Sequence, residues 1–356
     1  MNNAQGRAGA PARSVLPPAV HWRGRPLVTA RGIQIALGLI WLLDGLFQFK
    51  SFMYTHGIIS EVFGPAAEKQ PSWVASPMHT FDGFYGRDLT LWNTLAGEVQ
   101  VAIGLGLMLS RKTVKPALLV SFGWSLVVWW FGEGFGGLTS NTLPAPLMGA
   151  PGAVILYAII GLLVWPSGER EASSPADTGP LGDRGGLLAW SGLWALSAAL
   201  WLVNVNRAKD ASAEMIKSMA TSSPHWLARI QDWAVRHAMG HGTTIAVVLA
   251  ALSVAVAVGV WTPLRWPALG VGIVLSLAYW LFGQSIGGPF WTESATDFNA
   301  GPLFVLLGLA LAPIAQPAAE RLRAGAARRG AAEPGATGPG ATGPGASATE
   351  PGVGVA

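Results

Sequence analysis

The chain has 356 residues, of which 51% are hydrophobic and only 12% charged, with a mean hydropathy of +0.41. A soluble domain carries about 25% charged residues, so the composition excludes an ordinary water-soluble fold and points to a polytopic membrane protein. The absence of cysteine excludes disulfides, thiolate nucleophiles and thiolate-held metal or iron–sulfur centres, and the formal charge of +4 sits in tails and joints, where it sets topology and is not a nucleic-acid signal.

Residues 1–30 read as a basic, disordered tail, with Arg7, Arg13, Arg23 and Arg25 among Ala, Gly and Pro and no signal-peptide pattern. The first apolar helix is expected over Gly32–Phe49, after Arg31, and the second over Leu89–Leu109. The connection Lys50–Asp88 between them carries a weakly amphipathic segment around Ile58, Ile59, Val62 and Phe63. A basic joint with Arg111, Lys112 and Lys115 leads into a third helix, Ala117–Phe131, which runs into Phe131-Gly132-Glu133-Gly134-Phe135-Gly136-Gly137. Each interior glycine costs a helix about 1 kcal/mol against alanine, so this motif reads as a re-entrant turn; it lacks the Lys-Ser/Thr end of a phosphate loop. A fourth helix is expected over Pro151–Trp165, followed by a cytoplasmic linker, 167–184.

The same series then recurs, with helices expected over Leu187–Val203, Thr243–Trp261, Pro267–Phe282 and Gly301–Ala312. The connection Asn204–Gly242 contains the stronger amphipathic segment. Ser223 is the expected N-cap and Pro224 the first helical residue, with Trp226, Leu227, Ile230, Trp233 and Ala234 on one face and Arg229, Asp232 and Arg236 on the other, as in a helix lying at a membrane surface. From 324 to 356 the chain is Gly/Pro/Ala-rich and reads as disordered. A bilayer core of about 30 Å needs roughly 20 helical residues, so the third and eighth helices are short for spans.

The order of events matches between halves. Pro71-Ser72-Trp73 answers Pro224-His225-Trp226, Pro116-Ala117-Leu118 answers Pro267-Ala268-Leu269, and Phe282-Gly283-Gln284-Ser285-Ile286-Gly287-Gly288 answers the first Gly-rich motif. The expected fold is therefore an all-α membrane protein of eight transmembrane helices, arranged as two parallel four-helix repeats (31–166 and 185–313) with amphipathic outer helices. The basic residues at 23–31, 111–115, 265 and 321–329 fall on one side, which the positive-inside rule makes cytoplasmic. The expected location is a bacterial plasma membrane, with both termini inside.

Acids within apolar spans are expensive and are functional candidates by default. Asp44, with Gln48 one turn later, lies in the first span, Glu98 in the second and Glu133 in the Gly-rich motif. All three are expected in the outer half of the membrane, with Asp44 and Glu98 converging on one cavity and Lys50 and Arg87 as possible charge partners. Ser197, Ala251 and Gln284 occupy the aligned positions of the second repeat, so the polar site belongs to the first. His56, His79, His225, His237 and His241, with Met53, Met78 and Met239, match no compact metal-site spacing, and no metal site is expected.

The run from Arg31-Gly32 through Leu42-Leu43-Asp44-Gly45, with the Pro151-Gly152 start of the fourth helix, resembles the DoxX-like membrane family. That resemblance implies a link to quinone-coupled sulfur oxidation or to a membrane or redox partner protein. The function expected is a DoxX-like accessory or small-molecule-binding subunit with an outward polar site formed by Asp44, Gln48, Glu98 and Glu133, without catalysis of its own and with no cofactor specified. A proton- or cation-coupled secondary transporter and a structural or assembly partner of another membrane protein stay open beside it. The expected partners are the lipid bilayer and another membrane or redox protein, with no nucleic acid.

Overall fold

A computed structural model describes residues 21–22, 25–26, 28–167 and 174–312. The tails expected at 1–30 and 324–356, and the middle of the linker, lie outside the described residues apart from short pieces. Twelve α-helices follow in order among the described residues. They are α1 (Ala30–Phe47), α2 (Gly64–Ala67), α3 (Ser72–Tyr85), α4 (Leu89–Leu109), α5 (Arg111–Phe131), α6 (Val154–Leu163), α7 (Gly182–Trp201), α8 (Ala211–Ala220), α9 (His225–Ala238), α10 (Gly242–Gly259), α11 (Arg265–Gly283) and α12 (Ala300–Ala310). The rest is short 3-10 and π-helical turns and loop, with a two-residue antiparallel pairing of His21–Trp22 and Arg25–Pro26.

All eight expected long elements are helical. By length and composition α1, α5, α10 and α11 are long and apolar enough to cross a membrane. Polar residues interrupt the apolar pattern of α4 and α7, while α6 and α12 have only 10 and 11 residues. Such helices reach about 15 Å, half of a bilayer core. Their ends are not left open. Glu133 Oε1 accepts the N–H groups of Ala153 (3.0 Å) and Val154 (3.2 Å) at the start of α6, and Gln34 Nε2 donates to the Val164 carbonyl (2.7 Å) at its end. Asn299 Oδ1 accepts from Ala300 N (2.7 Å) at the start of α12, and an Arg265 guanidinium donates to Leu311 O (2.5 Å) at its end. A buried helix terminus carries orphan backbone groups, so these side chains are what make short buried helices tolerable.

The closest helix pair, α1 with α4, is built on small residues at seven-residue spacing. A side chain at Gly38 would meet the Gly104 carbonyl, one at Gly45 would meet Val101 N, and one at Gly104 would meet Leu42 N. The backbones therefore touch, as small-residue interfaces in membrane helices allow. Arg31 ties the same pair at the other end, donating to the Leu107 (2.7 Å) and Met108 (2.6 Å) carbonyls of the last turn of α4.

Three expectations change. The basic joint is helical: α5 starts at Arg111, six residues early, because Ser110 caps it by accepting from Lys112 N (3.0 Å). Pro116 is accommodated inside α5 because only one backbone bond near the helix start is lost. In the connection between α1 and α4 the amphipathic segment is a π-helical turn, Ile58–Phe63, followed by α2, and α3 follows after Pro71. At α9 it is Pro224 that holds the cap position, and the Ser223 hydroxyl instead lies within hydrogen-bond distance of Met219 O (3.0 Å) and Ser285 Oγ (2.9 Å). The buried side of α9 is Leu227, Gln231 and Ala238, so Trp226, Ile230 and Trp233 face away from the bundle. An exposed aromatic stripe beside Arg229 and Arg236 suits a helix resting on an interface.

The two Gly-rich segments are built alike. Trp129 Nε1 donates to Pro151 O (3.0 Å), and Trp280 Nε1 donates to Phe298 O (2.7 Å). Gly136 (φ +62) lies against Pro151 and Gly152, and Gly287 (φ +79) lies against Phe298. In both places an indole and a left-handed glycine clamp the loop that leads into a short helix.

Candidate functional site

The polar groups gather where α1, α4, α5 and α6 meet the loops that follow α1 and α5 and precede α12. They border a cavity of about 160 Å³. Asp44 reaches it from the last turns of α1 and is 3% exposed. Tyr157, from α6, donates its hydroxyl to Asp44 Oδ2. The Tyr157 ring is held by Trp41, with centroids 4.3 Å apart at 43°. Asp44 Oδ1 has no hydrogen-bond partner. The backbone N–H of Phe298 faces the same carboxylate without meeting hydrogen-bond geometry.

Glu133 borders the cavity from the turn after α5. Its Oε1 caps α6, while its Oε2 is buried without a partner. Burial, and then the charge of Asp297, push its carboxyl up to about 8, against the two N–H groups that favour the ionised form. Asp297 comes from the loop before α12, where Oδ1 accepts from Asn299 N (2.5 Å), and burial raises its carboxyl above the usual range. Glu133 and Asp297 are only partly buried in a strict sense because each borders the cavity. Protein encloses them on their other sides, and burial dominates both shifts.

Of the residues singled out in sequence, Asp44, Gln48 and Glu133 line this cavity and Glu98 does not. Glu98 is exposed and forms no ion pair among the described residues. The expected convergence of Asp44 and Glu98 is therefore corrected. On α4 the cavity-facing positions are Ala96 and Gln100, and a residue two places from each points to the other side of a helix with 3.6 residues per turn. Neither expected charge partner pairs with the acids. Arg87 is exposed, and Lys50 Nζ is enclosed by three carbonyls, Pro289 (2.6 Å), Thr292 (2.8 Å) and Ala295 (2.9 Å).

Lys50 matters for another reason. The carbonyls it binds belong to the loop that delivers Thr296 and Asp297 to the cavity. Lys50→Met should lower stability by about 2 kcal/mol through the loss of charge-assisted hydrogen bonds, discounted for solvent access. It should also raise the hydrogen exchange of residues 289–297; unchanged exchange there would show that the loop is held by other contacts.

Tyr157, Gln100 and Asp297 also line the cavity and are not among the site residues expected from sequence. Tyr157 was legible as a lone phenol in the apolar run Val154–Leu163, and Gln100 as a polar residue two positions after Glu98. Asp297 carries no such signal, because it lies in a polar loop before α12 and not in an apolar run. The aligned place in the second half is nearly filled: Trp194, Ser197, Tyr279 and Gln284 border a space of about 20 Å³, room for about one water. There Ser197 Oγ and Ser253 Oγ are 3.2 Å apart, and Trp201 Nε1 donates to the Tyr279 hydroxyl (3.0 Å).

No group of three or more His, Asp and Glu side chains is placed to hold a metal ion among the described residues. Comparison with known families, curated proteins and solved structures gives no match for the chain.

Proposed function

We propose that the chain is a multi-pass plasma-membrane protein of two parallel four-helix repeats whose first repeat binds a small molecule in an outward-facing polar cavity. The observation that carries this is the pair of unpartnered, buried carboxylate oxygens, Asp44 Oδ1 and Glu133 Oε2, on a cavity of about 160 Å³. Buried polar atoms are almost always paired, and an exception in a concave site is explained by a missing ligand or water.

The repeat reading draws support from the Trp129–Pro151 and Trp280–Phe298 bonds, which sit at aligned positions in the two Gly-rich segments. The eight-span reading draws support from α4 and α7, helices of 21 and 20 residues, and from α6 and α12 with their capped ends. The orientation rests on Arg31, Arg111 and Arg265, which lie at helix ends on the expected cytoplasmic side. A DoxX-like accessory role is the form of the binding that the sequence resemblance supplies. Exposed Glu98 favours it, because a carboxyl midway along a span costs about 2.5–3.5 kcal/mol on insertion scales unless a partner covers it.

Reporter fusions after Leu109 and Ala312 should report the cytoplasm, and a fusion near Ser222 should report the outside. A cytoplasmic signal at Ser222 would overturn the eight-span arrangement. For the binding site, native mass spectrometry of the protein taken directly from membranes should show a small-molecule adduct that Asp44→Asn loses. An adduct retained by Asp44→Asn and Glu133→Gln alike would remove the cavity as its site.

A further inference from the structure

We infer that the cavity takes a protonated organic amine with an apolar body about the size of a benzene ring, its ammonium set against Asp44, Glu133 and Asp297. This rests on the cavity being a ligand site. The first argument is charge. Three carboxyl groups border the space, and no Arg, Lys or His lines it. Lys50, which follows the end of α1, is saturated by three carbonyls of the loop that carries Asp297. An anionic ligand would find no positive group in the lining to balance it, whereas an ammonium brings three donors and no acceptor and favours the ionised form of the carboxyls it meets.

The second argument is the pattern of unused groups. Asp44, 3% exposed, has one oxygen committed to Tyr157 and the other free. Glu133 likewise has one oxygen committed to the start of α6 and the other free. Each therefore offers an acceptor without giving up a structural bond. Trp41 and Trp124 also line the cavity, and their indole N–H groups lack partners. Two neutral donors do not balance an anion.

The third argument is the wall. Phe63, Phe81, Trp124, Val127, Val128 and Phe131 make the remainder of the lining apolar and largely aromatic. Aromatic faces attract a desolvated cation, and the apolar surface takes the ligand's body. A dry cavity of about 150 Å³ holds benzene, so a space of about 160 Å³ fits one ring or the head of a longer amphiphile. Val127 is 39% exposed on α5, which puts an apolar edge of the cavity at the surface of the bundle. A compact metal ion is the weaker occupant, because the acids do not form an ion-holding group.

The test uses the full chain in mild detergent and three probes of one shape: 2-phenylethylamine, 2-phenylethanol and phenylacetate. Calorimetry at neutral pH should show binding of the amine, at least about tenfold weaker binding of the alcohol and none of the acid, with each tenfold step worth about 1.4 kcal/mol. Asp44→Asn, which keeps a carbonyl for the Tyr157 hydroxyl, should weaken the amine about tenfold or more and leave the alcohol unchanged. Asp297→Asn gives a second reading from a loop position if Asp44→Asn fails to fold. Equal binding of amine and alcohol, both blocked by Val127→Trp, would leave the cavity as a ligand site and overturn the ammonium assignment. Failure of all three probes to bind would overturn the ammonium assignment, and retention of a native adduct that Asp44→Asn loses would then keep the cavity itself as a site.

Discussion

Replacing Gly136 with alanine is expected to prevent the first half from folding. Gly136 has φ +62, in the left-handed region, and a Cβ there would run into the Pro151 carbonyl oxygen and the Gly152 nitrogen. The left-handed conformation alone costs an L-residue about 1–2 kcal/mol. The clash adds more, because the loop cannot retreat: the same Pro151 carbonyl accepts from Trp129 Nε1, and the next residues are bonded to Glu133. The expected loss exceeds about 4 kcal/mol, which places it among the exceptional single substitutions. Gly123→Ala is the control. It lies inside α5 with open space around it, so the substitution should be neutral or stabilising by up to about 1 kcal/mol. The yield of monodisperse protein in mild detergent, and its Tm, measure both. If Gly136→Ala purifies with an unchanged Tm, the clamped turn is not a structural requirement.

The second large effect is a loss of stability as pH rises. The Glu133 carboxyl titrates near 8 in the folded protein, raised from 4.5 by burial and by Asp297. A raised folded value means that the folded state keeps a proton the unfolded chain has lost. The stabilisation is therefore complete below about 4.5 and declines through the window up to about 8, where the folded state also ionises. The slope is at most about 1.4 kcal/mol per pH unit, and the whole effect at most about 5 kcal/mol, an upper bound because Glu133 as a residue is only half-buried. The charged and titratable groups bordering the cavity with Glu133 are Asp44 on α1, Tyr157 on α6, Tyr85 on α3 and Asp297 in the loop, with no cation among the lining residues. Glu133→Gln keeps a carbonyl to cap α6 and removes the titration. The Tm of the native chain should fall between pH 5 and 8, and that of Glu133→Gln should fall less. Parallel curves would place the titrating group elsewhere.

These two effects come from different levels of the molecule, and they mark what was legible in the chain itself. The eight apolar helices, six long and two short, are readable because apolar runs bounded by Gly, Pro and basic residues fix where a helix can start and stop. The Gly-rich turns were readable because Phe131–Gly137 and Phe282–Gly288 hold too many glycines for a helix interior. Asp44 and Glu133 were readable as candidates because a carboxyl in an apolar setting is costly wherever it ends up. Glu98 carried the same signal and was misassigned, since depth along a helix is a one-dimensional quantity and facing is not. Whether a residue on α4 meets the cavity depends on how α4 turns against α1, and that rotation is set by the contact of Gly38 and Gly45 with Gly104 and Val101. Asp297 and Tyr157 lie 253 and 113 residues away from Asp44 in sequence terms set by their numbering, and no local pattern joins them to it. Composition and periodicity determined the helices, the turns and the presence of a buried acid. Only the packing of loop 288–299 over the first half, fastened by Lys50, brought a third carboxyl to that acid, because proximity between distant segments is created by side-chain contacts that no single stretch of sequence contains.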